Sequence, residues 1–474
     1  MNAPRRNGRP DEDGERGRPM RRVMVWIAPA AAAVAWSTAS ARGLTPEAAR
    51  TLAVIVWCAV WWVSEAVPIA VTSLLPLAIL PLAGVLTPTE VGAAYGSPLI
   101  LLLMGGFLLS TSMEGSGAHR RIALTMVRAC GGSSGRRLVI GFMLAAGLLA
   151  MWISNTATTL MLLPVVLAVT SRVDDERVVT ALLLGVAYAA SIGGVATPVG
   201  TPPNLVFMEV YGETTGAELS FLEWMRWGLP IASAMWLAAA AWLTRGLGGR
   251  LEVDLPEVGP WRAAEVRTLA VFAATALLWV TRREPFGGWS GWLDLPAAND
   301  ASVALLAVVV LAVLPDGRGG RLLEWERAER IPWGVLILFG GGVAIAKAFT
   351  ASGLGEAAAA GLSGLGGLPV VVLVGSVCLA VTFLTEVTSN TATATLLMPV
   401  LAATAVAIDI EPAVVMVPAT VSASFAFMLP VATAPNAIVF GTGRLTVGRM
   451  ARTGIVLNLV GVAVVTVAAW ATRG

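Results

Sequence analysis

Long apolar runs separated by short polar or charged connections make up the chain from residue 23 onward, and most are long enough to be read as helices crossing a hydrocarbon core of about 30 Å. The first runs from Val23 to about Ser40, with others at about 50–62, 67–85, 97–112, 178–196, 225–244, 264–281, 301–315, 332–349, 412–428 and 453–471. Two longer stretches, 137–170 and 367–406, are apolar for more than thirty residues but are interrupted halfway by a Ser-Asn-Thr cluster. Each interruption predicts two half-depth helices joined by a turn.

Composition agrees with that pattern. Of 474 residues 56% are hydrophobic and 13% charged, and mean hydropathy is +0.77, whereas a soluble domain carries about 25% charge. A soluble enzyme is excluded, and the fold class expected is an all-α polytopic membrane protein. A net charge of +2 supplies no basic face for nucleic acid. Charge bears on orientation instead. Residues 1–22 carry seven arginines against four acids and little apolar surface, which reads as a disordered tail held on the cytoplasmic side. No cleavable signal or organellar transit pattern is recognisable, so the expected location is a bacterial inner (plasma) membrane.

Arginine-rich segments at 120–137 and 318–330 read as cytoplasmic or interfacial, and 245–267 and 284–297 as connections, the latter with Trp289 and Trp292 as interface anchors. Lys347, the only lysine, reads as an interfacial side chain that snorkels. Cys58, Cys130 and Cys378 have no paired spacing and read as small core residues. A single histidine, His119, excludes His-cluster metal sites and disfavours a Ser-His-Asp triad. The expected division is a tail at 1–22, scaffold helices at 23–112, an interfacial segment at 113–136, a first transport half at 137–210, scaffold helices and connections at 211–366, a second transport half at 367–445 and a C-terminal helix at 446–474.

An internal repeat points at the site. Residues 154–165 read SNTATTLMLLPV and 389–400 read SNTATATLLMPV, identical at eight of twelve positions. A Pro-Asn element follows each copy, GTPPNLVF at 200–207 and ATAPNAIVF at 432–440. From Asn155 to Asn204 is 204 − 155 = 49 residues, and from Asn390 to Asn436 is 436 − 390 = 46. Both halves therefore carry the same pair of breaks in the same order. Unwound backbone at membrane depth survives only where it packs in protein or lines a hydrated cavity, and paired interruptions in corresponding halves point to a transporter's midplane site.

The residues at the breaks define the chemistry. Asn supplies an acceptor and donors, Ser and Thr supply hydroxyls, and free carbonyls beside Gly200 and Ala432 are hard oxygen ligands for a small cation. Half-helix N-termini bring partial positive charge and bare N–H donors that hold an anion. Neither motif contains Lys, Arg or His, so a multiply charged anion would be held by dipoles, with sodium offsetting its charge. Plain interhelical hydrogen bonding explains one copy but not two with matched spacing. Glu386 is costly in lipid and is read as facing protein or water in a structural partnership.

These residues resemble the divalent anion:sodium symporter family, which includes dicarboxylate, citrate and sulfate carriers. The resemblance covers residues 45–471 through MWISNTATT (151–159), GTPPN (200–204), TEVTSNTAT (385–393) and ASFAFMLPVATAPNAIV (423–439), the last similar to the family's pattern at Ser424, Phe427, Pro430 and Asn436. It implies an inverted-repeat transporter of about eleven transmembrane helices and two re-entrant hairpins, working as a homodimer by an elevator movement in lipid. It also implies sodium as coupling ion and no organic cofactor. By motif, Ser154, Asn155 and Gly200 form one sodium site, and Thr385, Thr388, Asn390 and Ala432 its mate. Substrate carboxylates meet Ser154, Asn155, Thr156, Ser389, Asn390 and Thr391 from the hairpins, and Thr201 and Thr433 from the unwound loops. Two departures stand out: Ala150 replaces a Ser common in the family, while Thr385 keeps a hydroxyl at the matching place, and Ala434 replaces a proline.

The leading expectation is sodium-coupled symport of C4-dicarboxylates such as succinate, malate or fumarate, since two triplets of polar groups suit two planar carboxylates better than one tetrahedral sulfate. Alternatives are a sodium-independent dicarboxylate exchanger, which would be expected to carry a fixed cation in the motifs, and a sodium:sulfate symporter. An anion channel lacks its polar file through several spans, and primary active transport lacks a phosphate loop.

Overall fold

A computed structural model describes residues 12–131, 134–171, 173, 175–249, 257–362 and 367–471. Among them the chain is helical, with an isolated β-bridge between Pro315 and Arg321. In chain order the helices are α1 Glu12–Ala41, α2 Pro46–Ser64, α3 Ile69–Thr72, α4 Leu75–Leu82, α5 Pro88–Tyr95, α6 Pro98–Ser116, α7 Ala118–Cys130, α8 Gly135–Ala150, α9 Asn155–Thr170, α10 Glu176–Val195, α11 Pro202–Thr215 and α12 Phe221–Thr244. There follow α13 Ala263–Val280, α14 Gly288–Trp292, α15 Asp300–Val313, α16 Trp325–Ala328, α17 Trp333–Ala351, α18 Leu354–Leu362, α19 Val370–Leu384, α20 Asn390–Ala407, α21 Ala413–Ser424, α22 Ala434–Phe440 and α23 Val447–Ala471. Among the described residues nine helices are long and apolar enough to cross a membrane, and five further apolar helices are shorter.

Local chemistry sets the starts. Thr45, Thr87, Ser97, Ser134, Ser154 and Ser220 each accept a backbone N–H in the first turn of the helix that follows, and Glu90 and Glu223 complete capping boxes. Several predicted elements differ in extent. The expected tail is helical from Glu12, so that part of it belongs to α1, while its residues 1–11 lie outside the described residues. The predicted span 67–85 is two short helices, α3 and α4, which part at Ser73 and Leu74, where Pro76 has no N–H to give the Thr72 carbonyl; Pro68 precedes α3 and Pro81 lies inside α4. The predicted span 412–428 stops at Ser424, where the chain unwinds.

Both interrupted stretches are helical hairpins. The turn 151–154 joins α8 to α9, and 385–389 joins α19 to α20. Packing sorts the helices into two groups. The hairpins, α10, α12 and α21–α23 form one, while α2–α6, α13, α15 and α17 form the other. Within the 211–366 region α12 packs mainly along α8, α10 and α23, with the hairpin group, and only lightly on α13. Between the groups lies α11, against α20 and α21 on one side and α17 and α6 on the other.

Candidate functional site

Four helices begin where the four breaks meet. Ser154 caps α9, Ser389 precedes α20, Thr201 precedes α11, and Thr433 caps α22 by accepting the Asn436 N–H at 3.2 Å. All four N-termini border one cavity of about 570 Å³. Of the twelve residues expected to hold ion or substrate, eleven line it: Ser154, Asn155, Thr156, Gly200, Thr201, Thr388, Ser389, Asn390, Thr391, Ala432 and Thr433. The twelfth, Thr385, lies buried behind the wall and touches Asn390. The Thr388 hydroxyl is tied into its own hairpin, 2.8 Å from the Leu384 carbonyl and 2.8 Å from Thr393 Oγ1. Val63, Glu65, Ile69, Phe107, Pro332 and Val335, on or next to helices of the other group, also line it, and no Lys, Arg or His is among the lining residues.

The loops are stitched by the paired asparagines. Asn204 Nδ2 donates to the carbonyls of Gly194 (3.1 Å), Val195 (3.3 Å) and Thr197 (2.7 Å). Asn436 Nδ2 donates to Ala426 (3.1 Å) and Leu429 (3.0 Å). Aligned on their Pro-Asn elements, Ala426 and Leu429 stand where Gly194 and Thr197 do, so one amide closes both loops in the same way. These asparagines shape the backbone that carries the site.

Hard oxygens converge at the first corner. Asn155 Oδ1 is buried and accepts no hydrogen bond among the described residues. A methyl group placed on Gly194 would lie 2.7 Å from that oxygen and 3.0 Å from the Gly200 carbonyl oxygen, so the close approach requires glycine there. A buried carbonyl oxygen without a donor, beside an unwound carbonyl, is the donor set a small cation takes. At the second corner Thr385 Oγ1 lies 2.6 Å from Asn390 Oδ1 and 2.9 Å from the Ala423 carbonyl oxygen. Three oxygens therefore gather with one hydroxyl proton among them.

Sequence reasoning singled out Glu386 but missed the other supporting groups. Glu386 is 3% exposed, and its carboxylate accepts the N–H of Met428 and of Leu429, each at 2.9 Å, and Asn458 Nδ2 at 2.7 Å. Asn458 Oδ1 accepts the Phe427 N–H at 3.1 Å, and the Tyr188 hydroxyl donates to the Phe427 carbonyl at 2.6 Å. The carboxylate is thus a structural partner of the second unwound loop. The first loop is tied differently, by the Thr197 hydroxyl donating to the Met151 carbonyl. Trp152, at the first hairpin tip, stacks on Phe221 and meets Phe272 edge-on.

Two related hairpins and two unwound helices around one polar cavity, in a chain of apolar helices, are the organisation expected of a membrane transporter. The chain matches the model of the sodium:sulfate symporter transmembrane region over residues 21–472, and it belongs to that family. It is an integral membrane transport protein, not an enzyme. Among its relatives, the sodium-dependent dicarboxylate transporter SdcS of Staphylococcus saprophyticus is 38% identical over 447 residues, 89% of this chain and 85% of that protein. The Staphylococcus aureus protein of the same name is 37% identical over 441 residues, 87% and 84% of the two chains. The crystal structure of the Alcanivorax borkumensis YdaH transporter superposes with a TM-score of 0.57 at 16% identity, covering 83% of this chain and 88% of that one. That likeness concerns the fold alone.

Proposed function

We propose that this protein is a secondary active transporter that couples sodium entry to uptake of C4-dicarboxylates such as succinate, malate and fumarate. One observation carries the reading: four helix N-termini meet around a cavity whose wall holds Ser, Thr and Asn but no Lys, Arg or His. An anion held there is stabilised by oriented N–H dipoles and hydroxyls. Its charge is offset only when cations occupy the oxygen-rich corners. Substrate then binds well only with sodium present, which is the thermodynamic requirement for symport.

In this reading one sodium ion takes Ser154, Asn155 and Gly200, and the other takes Thr385, Thr388, Asn390 and Ala432. Carboxylates meet Ser154, Asn155 and Thr156 on one side and Ser389, Asn390 and Thr391 on the other, with Thr201 and Thr433 between them. Relatives named for dicarboxylate transport at 37–38% identity support the substrate class. The hairpins are re-entrant, and their group of helices, α12 included, moves as an elevator against the other group, which supports a homodimer in the lipid bilayer. Arg121 is paired with Glu265 and the carbonyls of Gly259 and Pro260, and Arg262, Arg318, Arg321 and Arg327 line one small cavity with Ser116. That basic end lies in the cytoplasm of a bacterial cell by the positive-inside rule, as does the N-terminus.

The test is labelled succinate uptake into proteoliposomes. Uptake is expected only under an inward sodium gradient. Equal uptake in choline, dependent on internal succinate, would make the protein an exchanger, and a preference for sulfate over succinate would overturn the substrate class.

A further inference from the structure

Lys347 is not a free interfacial side chain. It lies towards the end of α17, and its ammonium is 3.1 Å from Glu213 Oε1 on α11, the two side chains 25% and 37% exposed. Four residues earlier on α11 stands Glu209, half-buried beside Ser97. That spacing puts the two carboxylates on one face of the helix, about 6 Å apart along its axis. Glu90 of α5 is the other acid close enough to act on Lys347, but it is held in the capping box by the Thr87 N–H and hydroxyl.

The pair spans the boundary between the two groups of helices. Thr201, just before α11, is in the wall of the cavity, and α11 packs on α20 and α21. α17 packs on α2 to α6, and Pro332 and Val335 at its start border the same cavity. The cavity therefore sits near the arginine-rich end of α17, and Lys347 lies about 18 Å further along that helix. α11 packs more extensively on α20 and α21 than on α17 and α6, and in the elevator reading it travels with the hairpin group; carrying that group away from the arginine-rich end slides α11 past Lys347 in the direction that removes Glu213 and brings Glu209 opposite. An unpaired ammonium among apolar helices is costly, so the alternative partner matters.

The geometry points to Lys347 as a stepping cation that pairs with Glu213 in this conformation and with Glu209 in the opposite one, the two carboxylates setting the end states of the movement. This rests on the elevator reading above. The test uses the full-length protein in liposomes with Cys58, Cys130 and Cys378 replaced by Ala and spin labels at Val309→Cys on α15 and Leu237→Cys on α12, labelled chains being diluted with unlabelled ones. Label-to-label distances are compared with succinate binding and uptake.

Glu209→Gln is expected to gather the population at the distance of the present structure, and Glu213→Gln at the other distance. Each is expected to slow uptake about tenfold while leaving succinate affinity within about twofold. Reversing all three charges (Lys347→Glu, Glu209→Lys, Glu213→Lys) is expected to restore both populations. A single distance in the unsubstituted protein, or Glu209→Gln and Glu213→Gln populations that do not move in opposite directions, would overturn the stepping role. Opposite shifts without sodium-driven succinate uptake would keep the step and remove the transport reading. Unmoved distances with normal uptake would do the reverse.

Discussion

The two Ser-Asn-Thr corners share a shape but not a chemistry. Ala150 stands where the second corner has Thr385, so Asn155 Oδ1 has no donor while Asn390 Oδ1 lies 2.6 Å from a hydroxyl. Their ties to the unwound loops are inverted as well. In the first half the Thr197 side chain donates to the Met151 backbone carbonyl, and in the second the Met428 and Leu429 backbone N–H groups donate to the Glu386 side chain. Met151 and Glu386 are matched positions, and so are Thr197 and Leu429. Duplication has kept the contact and exchanged which partner supplies it, which teaches that the conserved quantity is the position of the corner against its loop.

The largest effects fall on the asparagines. Asn155→Ala and Asn390→Ala are each expected to lower sodium-driven succinate uptake about a hundredfold or more, because in the proposed site each removes a group shared by ion and substrate. Near-normal uptake by either purified variant would remove that corner from the site. Stability separates the two. Asn390→Ala also leaves the Thr385 hydroxyl with one acceptor fewer and is expected to cost about 1 kcal/mol, whereas Asn155→Ala removes an oxygen that no donor uses and is expected to be near neutral. Thermal unfolding in detergent without sodium reads the difference, and equal losses would show the corners to be equivalent after all.

Next come the loop ties. Glu386→Ala strands three buried donors, Met428 N–H, Leu429 N–H and Asn458 Nδ2, at a cost of about 3 kcal/mol, while Thr197→Val removes one hydrogen bond worth about 1 kcal/mol. The same unfolding measurement ranks them. A Thr197→Val loss as large as that of Glu386→Ala would show that the first loop depends on its single tie as heavily as the second depends on three.

Legibility in the sequence follows the same division. A polar triplet in a long apolar stretch has few explanations, and its repetition at matched spacing marks both corners and both loops in the sequence alone. Thr385 lies outside the repeated triplet, where the first half has Ala150, and is singled out only through the resemblance of TEVTSNTAT to the family motif. Asn458, Tyr188 and Thr197 were not legible, since each is a single polar residue in apolar surroundings whose partner is distant in sequence. Glu213 escaped because it sits in the polar stretch YGETTGAE with its partner distant in sequence, leaving Lys347 to be read as an interfacial side chain. The break of 67–85 is legible in Pro76, whereas the grouping of α12 with the hairpins depends on packing that chain order does not encode.

The smallest expected effect bears most directly on why the corners differ. Ala150→Ser places a hydroxyl beside Asn155, as Thr385 stands beside Asn390, and adds one hard oxygen to a cluster that has Asn155 Oδ1 and the Gly200 carbonyl. Ala150 is fully buried against its neighbours, so the added atom has to find room, and the backbone approach at Gly194 limits how far the corner can relax. The expected outcome is a several-fold fall, about three- to tenfold, in the sodium concentration giving half-maximal uptake at saturating succinate, with the maximal rate little changed. Thr385→Ala is the matched reverse and is expected to raise that concentration. If Ala150→Ser leaves sodium dependence untouched while Thr385→Ala weakens it, the first corner already completes its ion shell from backbone carbonyls alone, and the missing hydroxyl marks two ion sites built to different affinities.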